Sequence, residues 1–174
     1  MELNQAIQLI RHPRFSPQKI ETWADLGCGS GLFTQALSTL LISGSTVYAI
    51  DTDQKALNRV RSSSDISIEK IQADFVHDEI RLRKLNGILM ANSLHFVKDK
   101  ISLIKKLDKS FLATGIFLII EYDMNAPNPW VPYPISFHSL KELFEPLGYA
   151  SVQRITELPS RYNRANIYSA LIER

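Results

Sequence analysis

The chain has 174 residues, of which 45% are hydrophobic and 22% charged, with 20 basic against 18 acidic side chains. That length suits a single domain able to bury a substantial core, and the near-average composition excludes a disordered, collagen-like or coiled-coil chain. A net charge of +2 is too mild to imply a nucleic-acid partner.

Residues 3–10 place Leu3, Ala6, Ile7 and Ile10 at helical spacing, so an N-terminal helical segment (1–18) precedes a core spanning 19–174. No basic n-region leads into an apolar h-region here, so a signal peptide is not expected and a cytoplasmic location is. Residues 20–24 read as a strand, 27–31 as a turn and 32–41 as a helix. Residues 46–50 are a β-branched and aromatic run, strand-like, followed by a helix over 54–61. Residues 66–73 alternate apolar and polar side chains, as a half-buried strand does. A wholly apolar strand, 87–91, precedes an amphipathic helix over 101–112. Five lysines crowd residues 98–109 beside Asp99 and Asp108; with Ile101, Ile104 and Leu107 at helical spacing, they read as a solvated face over a buried stripe.

Residues 116–120 form the longest apolar run, a buried strand far short of the roughly 20 residues that cross a bilayer. A stiff loop with four prolines, 127–134, leads to a helix over 139–147 with Gly148 as its C-cap. Two strand-like runs close the chain, 150–158 and 166–172, joined by the polar turn 159–164. Alternating strands and helices imply parallel strands with helices on both faces, because parallel neighbours need crossover connections. The short final turn instead predicts a hairpin and an antiparallel last strand.

The segment WADLGCGSGLF, residues 23–33, sits where a strand ends and a helix begins, the place where open α/β sheets bind ligands. Leu32 stands where the third glycine of a dinucleotide fingerprint belongs, and the Gly-Lys-Ser/Thr ending of a phosphate-binding loop is absent. What is present is D-x-G-x-G-x-G, with Asp25 two residues ahead of the first glycine. Cys28 lies inside this turn; a lone cysteine excludes an intramolecular disulfide and a multi-cysteine zinc cage, and no metal site is expected.

These residues resemble the class I S-adenosylmethionine-dependent methyltransferases, and the resemblance extends over nearly the whole chain. It implies a Rossmann-like three-layer α/β sandwich, with a mostly parallel seven-stranded sheet and a C-terminal antiparallel hairpin strand. It also implies S-adenosylmethionine as cofactor and S-adenosylhomocysteine as product. Asp25 would face the cofactor's amino group, directly or through water, while Gly27, Gly29 and Gly31 line the approach and Cys28 fills the turn. Asp51, with Thr52 beside it, matches the acid at the end of strand two that accepts from both ribose hydroxyls; Asp53 is the competing candidate. Asp74 would accept from the adenine amino group and Phe75 border its ring. The stretch Asn92-Ser-Leu-His95 matches the polar-Leu-His end of strand four, below the cofactor. Asn86-Gly87 departs from the Phe-Asp that commonly opens that strand.

The resemblance excludes some acceptors. The only cysteine lies in the glycine turn, away from the strand-four position that C5-cytosine methylation requires. The Asn/Asp-Pro-Pro-aromatic run of exocyclic-amine methylation is missing. A small-molecule acceptor is favoured, with His95 as the candidate base, because its pKa range suits proton transfer near neutrality. Glu121 is a candidate second base or acceptor-orienting group. Trp130 and Tyr133 are candidates for an aromatic wall, Arg161 and Arg164 for contacts to an anionic acceptor, and His138 for helix capping. Two rival functions stand beside this one: an RNA or protein methyltransferase, and an S-adenosylmethionine-binding module without turnover. The sequence leaves the oligomeric state open.

Overall fold

Apolar residues that fill both sides of a strand call for two covering layers, and this chain supplies them. The computed structural model describes residues 1–15, 19–159 and 165–174. Arg161 and Arg164 lie outside the described residues. The elements in order are α1 (Leu3–Ile10), β1 (Thr22–Leu26), α2 (Leu32–Ser38), β2 (Thr46–Asp51), α3 (Gln54–Leu57), β3 (Ser67–Gln72), β4 (Leu85–Ala91), α4 (Lys100–Asp108), β5 (Phe111–Tyr122), α5 (Phe137–Phe144), β6 (Ser151–Pro159) and β7 (Asn166–Glu173).

The seven strands form one sheet in the order β3-β2-β1-β4-β5-β7-β6. All pairings from β3 to β5 are parallel, and β7 runs antiparallel to both β5 and β6. Neighbouring residues of one strand serve opposite layers. Ala24 and Leu26 of β1, with Phe117 and Ile119 of β5, pack with Leu103, Ile104 and Leu107 of α4 and Phe144 of α5. Trp23, Leu118 and Ile120 pack with Phe33 and Leu37 of α2 and Leu9 and Ile10 of α1. Strand order reverses between β1 and β4, so the crevice beyond their C-terminal ends is the ligand position of this architecture.

Several boundaries differ from the sequence reading, each for a packing reason. β1 extends to the fully buried Leu26, while Ile20 is left exposed. The helix expected to reach residue 112 stops at Asp108, although Leu107 and Phe111 keep helical spacing. Leu85 N–H donates to the Ser110 carbonyl at 2.9 Å and Phe111 stacks edge-on against Phe117, which draws the chain into β5. The helix expected over 54–61 ends at Leu57 and tightens into i→i−3 bonds at Arg59 and Val60. The buried stripe of α4 is Leu103, Ile104 and Leu107, and Ile101 faces outward.

The departure at Asn86-Gly87 has a local cause. The Trp23 ring crosses Gly87 so closely that a Cβ there would sit 2.3 Å from it. Asn86 Oδ1 accepts from Thr22 N–H at 2.8 Å, and the Trp23 indole N–H donates to Glu21 at 2.8 Å. Gly148 is left-handed at φ 86° and ends the α5 segment as expected. α1 packs against α2 and the β6–β7 hairpin.

Candidate functional site

The turn after β1 is tied to the end of β2: the N–H groups of Gly27 and Cys28 both donate to the Ile50 carbonyl, at 2.8 and 3.0 Å. Gly27 has φ 75°, and a Cβ on it would lie 2.6 Å from Ser93 Cβ. Only glycine fits that conformation and that approach. Beyond the turn opens a cavity of about 700 Å³, lined by Gly27, Asp51, Thr52, Asp74, Phe75 and Asn92, among others. Six of the ten residues expected around the cofactor therefore share one cavity wall.

Asp51 is held by backbone. Its Oδ2 accepts from Gly29 N–H at 2.8 Å and its Oδ1 from Asp53 N–H at 2.9 Å. Each carboxylate oxygen keeps a further lone pair for a ligand. Asp53 is instead the N-cap of α3, accepting from Lys55 N–H at 2.8 Å. Asp74 accepts from the N–H groups of Val76 and His77 and lies 2.8 Å from His77 Nδ1. The His77 bond, more than the backbone bonds, holds its carboxyl below the usual range. Asn92 is left-handed at φ 53°, and its Oδ1 is buried without a partner among the described residues.

Four expected residues do not line the cavity. Gly29 and Gly31 shape the turn, Gly31 against Val60. The Cys28 thiol is buried, and desolvation ahead of the nearby Asp25 and Asp51 charges pushes its pKa up. Asp25 lies beneath the turn, fully buried, with Oδ2 accepting from Thr34 Oγ1 at 2.6 Å. Its Oδ1 has no partner among the described residues. Burial raises its pKa to about 7, against the lowering effect of the Thr34 bond, and the Asp51 charge adds to the rise.

His95 and Glu121, the expected base and orienting group, do not line the cavity either. Both are buried and face each other: His95 Nδ1 lies 2.7 Å from Glu121 Oε2, and His95 N–H donates to Oε1 at 3.0 Å. Glu121 thus meets His95 twice, once at the backbone and once at the ring. The pair fastens the end of β5 to the turn after β4. His138, expected to cap, is exposed inside α5 and 3.5 Å from Glu142; the cap is Ser136, which accepts from Ser139 N–H.

Three residues were given no role of their own in the sequence reading. Ser93 Oγ donates to the Leu26 carbonyl at 2.6 Å, joining β1 to the turn after β4. Thr34 carries the bond to Asp25. Lys106, read as part of a solvated face, donates to the carbonyls of Phe75, Val76 and Asp78 at 3.2, 3.1 and 2.7 Å. Its signal in the sequence is slight: it follows the buried Ile104 and adjoins Leu107 on the inward side of α4.

With this geometry in place, comparison with known proteins gives the class. The family model described as "Methyltransferase domain" matches residues 24–111, half of the chain. The chain belongs to that family. The fold is shared with a SAM-dependent methyltransferase from Methanosarcina mazei, at 16% identity and TM-score 0.71 over 95% of this chain and 99% of that one. A SAM-dependent methyltransferase from Aquifex aeolicus matches at 16% identity and TM-score 0.65, over 99% and 98% of the two chains. The plantazolicin methyltransferase BpumL, solved in complex with SAH, matches at 11% identity and TM-score 0.63, over 90% and 77%. Among the described residues no helix is long and apolar enough to cross a membrane.

Proposed function

We propose that this chain transfers a methyl group from S-adenosylmethionine to a small-molecule acceptor. The observation that carries the reading is the set of ligand-ready acceptors at the strand-order reversal. Asp51 and Asp74 line the cavity, and so does Asn92, whose buried Oδ1 at the end of β4 has no partner among the described residues. Buried acceptors without donors are costly. A ligand with ribose hydroxyls, an adenine amino group and an α-ammonium brings donors for all three.

In this reading Asp51 accepts from the ribose hydroxyls and Asp74 from the adenine, with Phe75 against the ring. Thr52 borders the ribose. Gly27 leaves room for close approach, and Asn92 accepts from the ammonium, while Asp25 supports the turn from beneath through its bond to Thr34. Bound S-adenosylmethionine supplies an electrophilic methyl group on a sulfonium. The chain contributes alignment and exclusion of water. His95 and Glu121 act as positioning residues: their pairing fixes the turn that carries Asn92 and Ser93.

Titration calorimetry with S-adenosylhomocysteine tests the donor half, with a dissociation constant on the order of micromolar expected. Absence of both heat and thermal stabilisation at millimolar ligand overturns it. Incubation of an extract with methyl-labelled donor tests the acceptor half. Label in the low-molecular-weight fraction supports the proposal, whereas label confined to RNA or protein defeats it.

A further inference from the structure

The outer end of the cavity narrows the acceptor further, granted the methyl-transfer reading above. Phe96 and Tyr133 both line the cavity, yet they are 60% and 40% exposed. Neither is loosely mounted. The Phe96 ring lies against the His95 ring, centroids 4.3 Å apart, and His95 is clamped by Glu121. Tyr133 is held at both ends of its backbone: its N–H donates to the His95 carbonyl at 3.0 Å and its carbonyl accepts from Lys100 Nζ at 2.8 Å. The same ammonium donates to the Val97 carbonyl at 2.8 Å, so one half-buried cation joins the turn after β4 to the proline-rich loop. The Tyr133 hydroxyl has no partner among the described residues.

Rigid, uncovered aromatic faces at a cavity mouth recognise flat unsaturated rings or cations. The surrounding charges decide between these. Asp51 and Asp74 belong to the donor end, and Asp74 is paired with His77. Asp99 caps α4, accepting from Ser102 N–H and Oγ. Lys106 is consumed by three carbonyls. Lys100 stands 5.8 Å from the Tyr133 ring centroid. That leaves Lys98, which lines the cavity and has no partner among the described residues. The lining carboxylates already accept from N–H or O–H donors, whereas the Lys98 ammonium is uncommitted, so an anionic substituent meets a free counter-charge here.

We propose that Phe96 and Tyr133 form the specificity wall for the acceptor, and that the acceptor is a planar aromatic compound with an anionic substituent directed to Lys98.

Three probes test this on the full chain by calorimetry, with and without saturating S-adenosylhomocysteine: naphthoate, its saturated analogue decalin carboxylate, and naphthyl trimethylammonium. Naphthoate is expected to bind about tenfold tighter than the saturated acid, with the cation weakest. Phe96→Ala and Tyr133→Ala each weaken naphthoate about fivefold, Tyr133→Phe restores it, and Lys98→Glu reverses the preference between anion and cation. Retained S-adenosylhomocysteine affinity in each variant reports that the fold survives. Failure of naphthoate to bind, equal binding of the saturated acid, or an unaltered naphthoate constant in the Phe96→Ala/Tyr133→Ala double variant overturns the proposal. Naphthoate binding that obeys these rules in a chain unable to bind S-adenosylhomocysteine overturns the donor reading and leaves the wall standing.

Discussion

At the Asp51 end of the cavity, the proposed donor end, that carboxylate is oriented by two backbone N–H groups from its own turn and the neighbouring glycine turn. At the opposite end, Tyr133 and the His95 turn are oriented by side chains from distant elements, Lys100 of α4 and Glu121 of β5. The first arrangement depends on local backbone geometry, which glycines and short turns impose. The second depends on groups far apart in sequence whose burial is tolerable only because each finds its partner. A backbone-built site should therefore lose ligand affinity when disturbed, and a side-chain-built one should lose stability first.

The largest effect is expected from Glu121→Ala, which strands a buried imidazole nitrogen and a buried backbone N–H. Urea unfolding should show a loss of about 3–5 kcal/mol, the cost of two buried polar groups left without a partner. Glu121→Gln should recover part of it, because the amide oxygen still accepts one bond. A loss below about 1 kcal/mol would show that the far end is not organised by this pair.

Asp25 comes next, through its pH dependence. A carboxyl whose pKa is raised by folding binds its proton more tightly in the native state than in the unfolded chain. Stability of the ligand-free protein is then lost as pH climbs from the ordinary value of 3.8 to about 7, and the full penalty stands above that range. Asp25→Asn should gain on the parent across this window, by up to about 4 kcal/mol, in urea melts between about pH 4 and about pH 8. A constant difference across that range would mean Asp25 titrates normally.

Asp51→Ala should lower S-adenosylhomocysteine affinity about 100-fold, the loss of two hydrogen bonds to a charged group, while the melting temperature changes little. Unchanged affinity in calorimetry would remove Asp51 from the donor end. The smallest effect belongs to Lys106→Met, which frees three carbonyls of the segment after β3. A roughly fivefold weaker S-adenosylhomocysteine constant is expected, in keeping with about 1 kcal/mol for a shared charged contact. No change would place the clip outside the adenine end.

The strand–helix alternation, the parallel sheet and the antiparallel final strand were legible in the sequence because they follow from apolar periodicity and turn length. So was the cluster Gly27, Asp51, Asp74, Phe75 and Asn92, whose places at strand ends are matters of local order. Element ends were less legible. Phe111 keeps helical spacing with Leu107, and only the Leu85 pairing shows that it opens a strand. Nor does the Lys98 to Lys109 run reveal that Lys100 and Lys106 spend their charge on carbonyls from other segments.

Local chemistry, written in the glycine spacing and in polar residues at the strand ends, determined which groups this chain presents to the cavity. Tertiary structure alone decided that Asp25 is sealed beneath its turn, that His95 and Glu121 turn toward each other, and that Phe96 and Tyr133 remain at the cavity mouth. Burial and pairing are properties of what a residue meets across the sheet, and those neighbours stand tens of positions away along the chain.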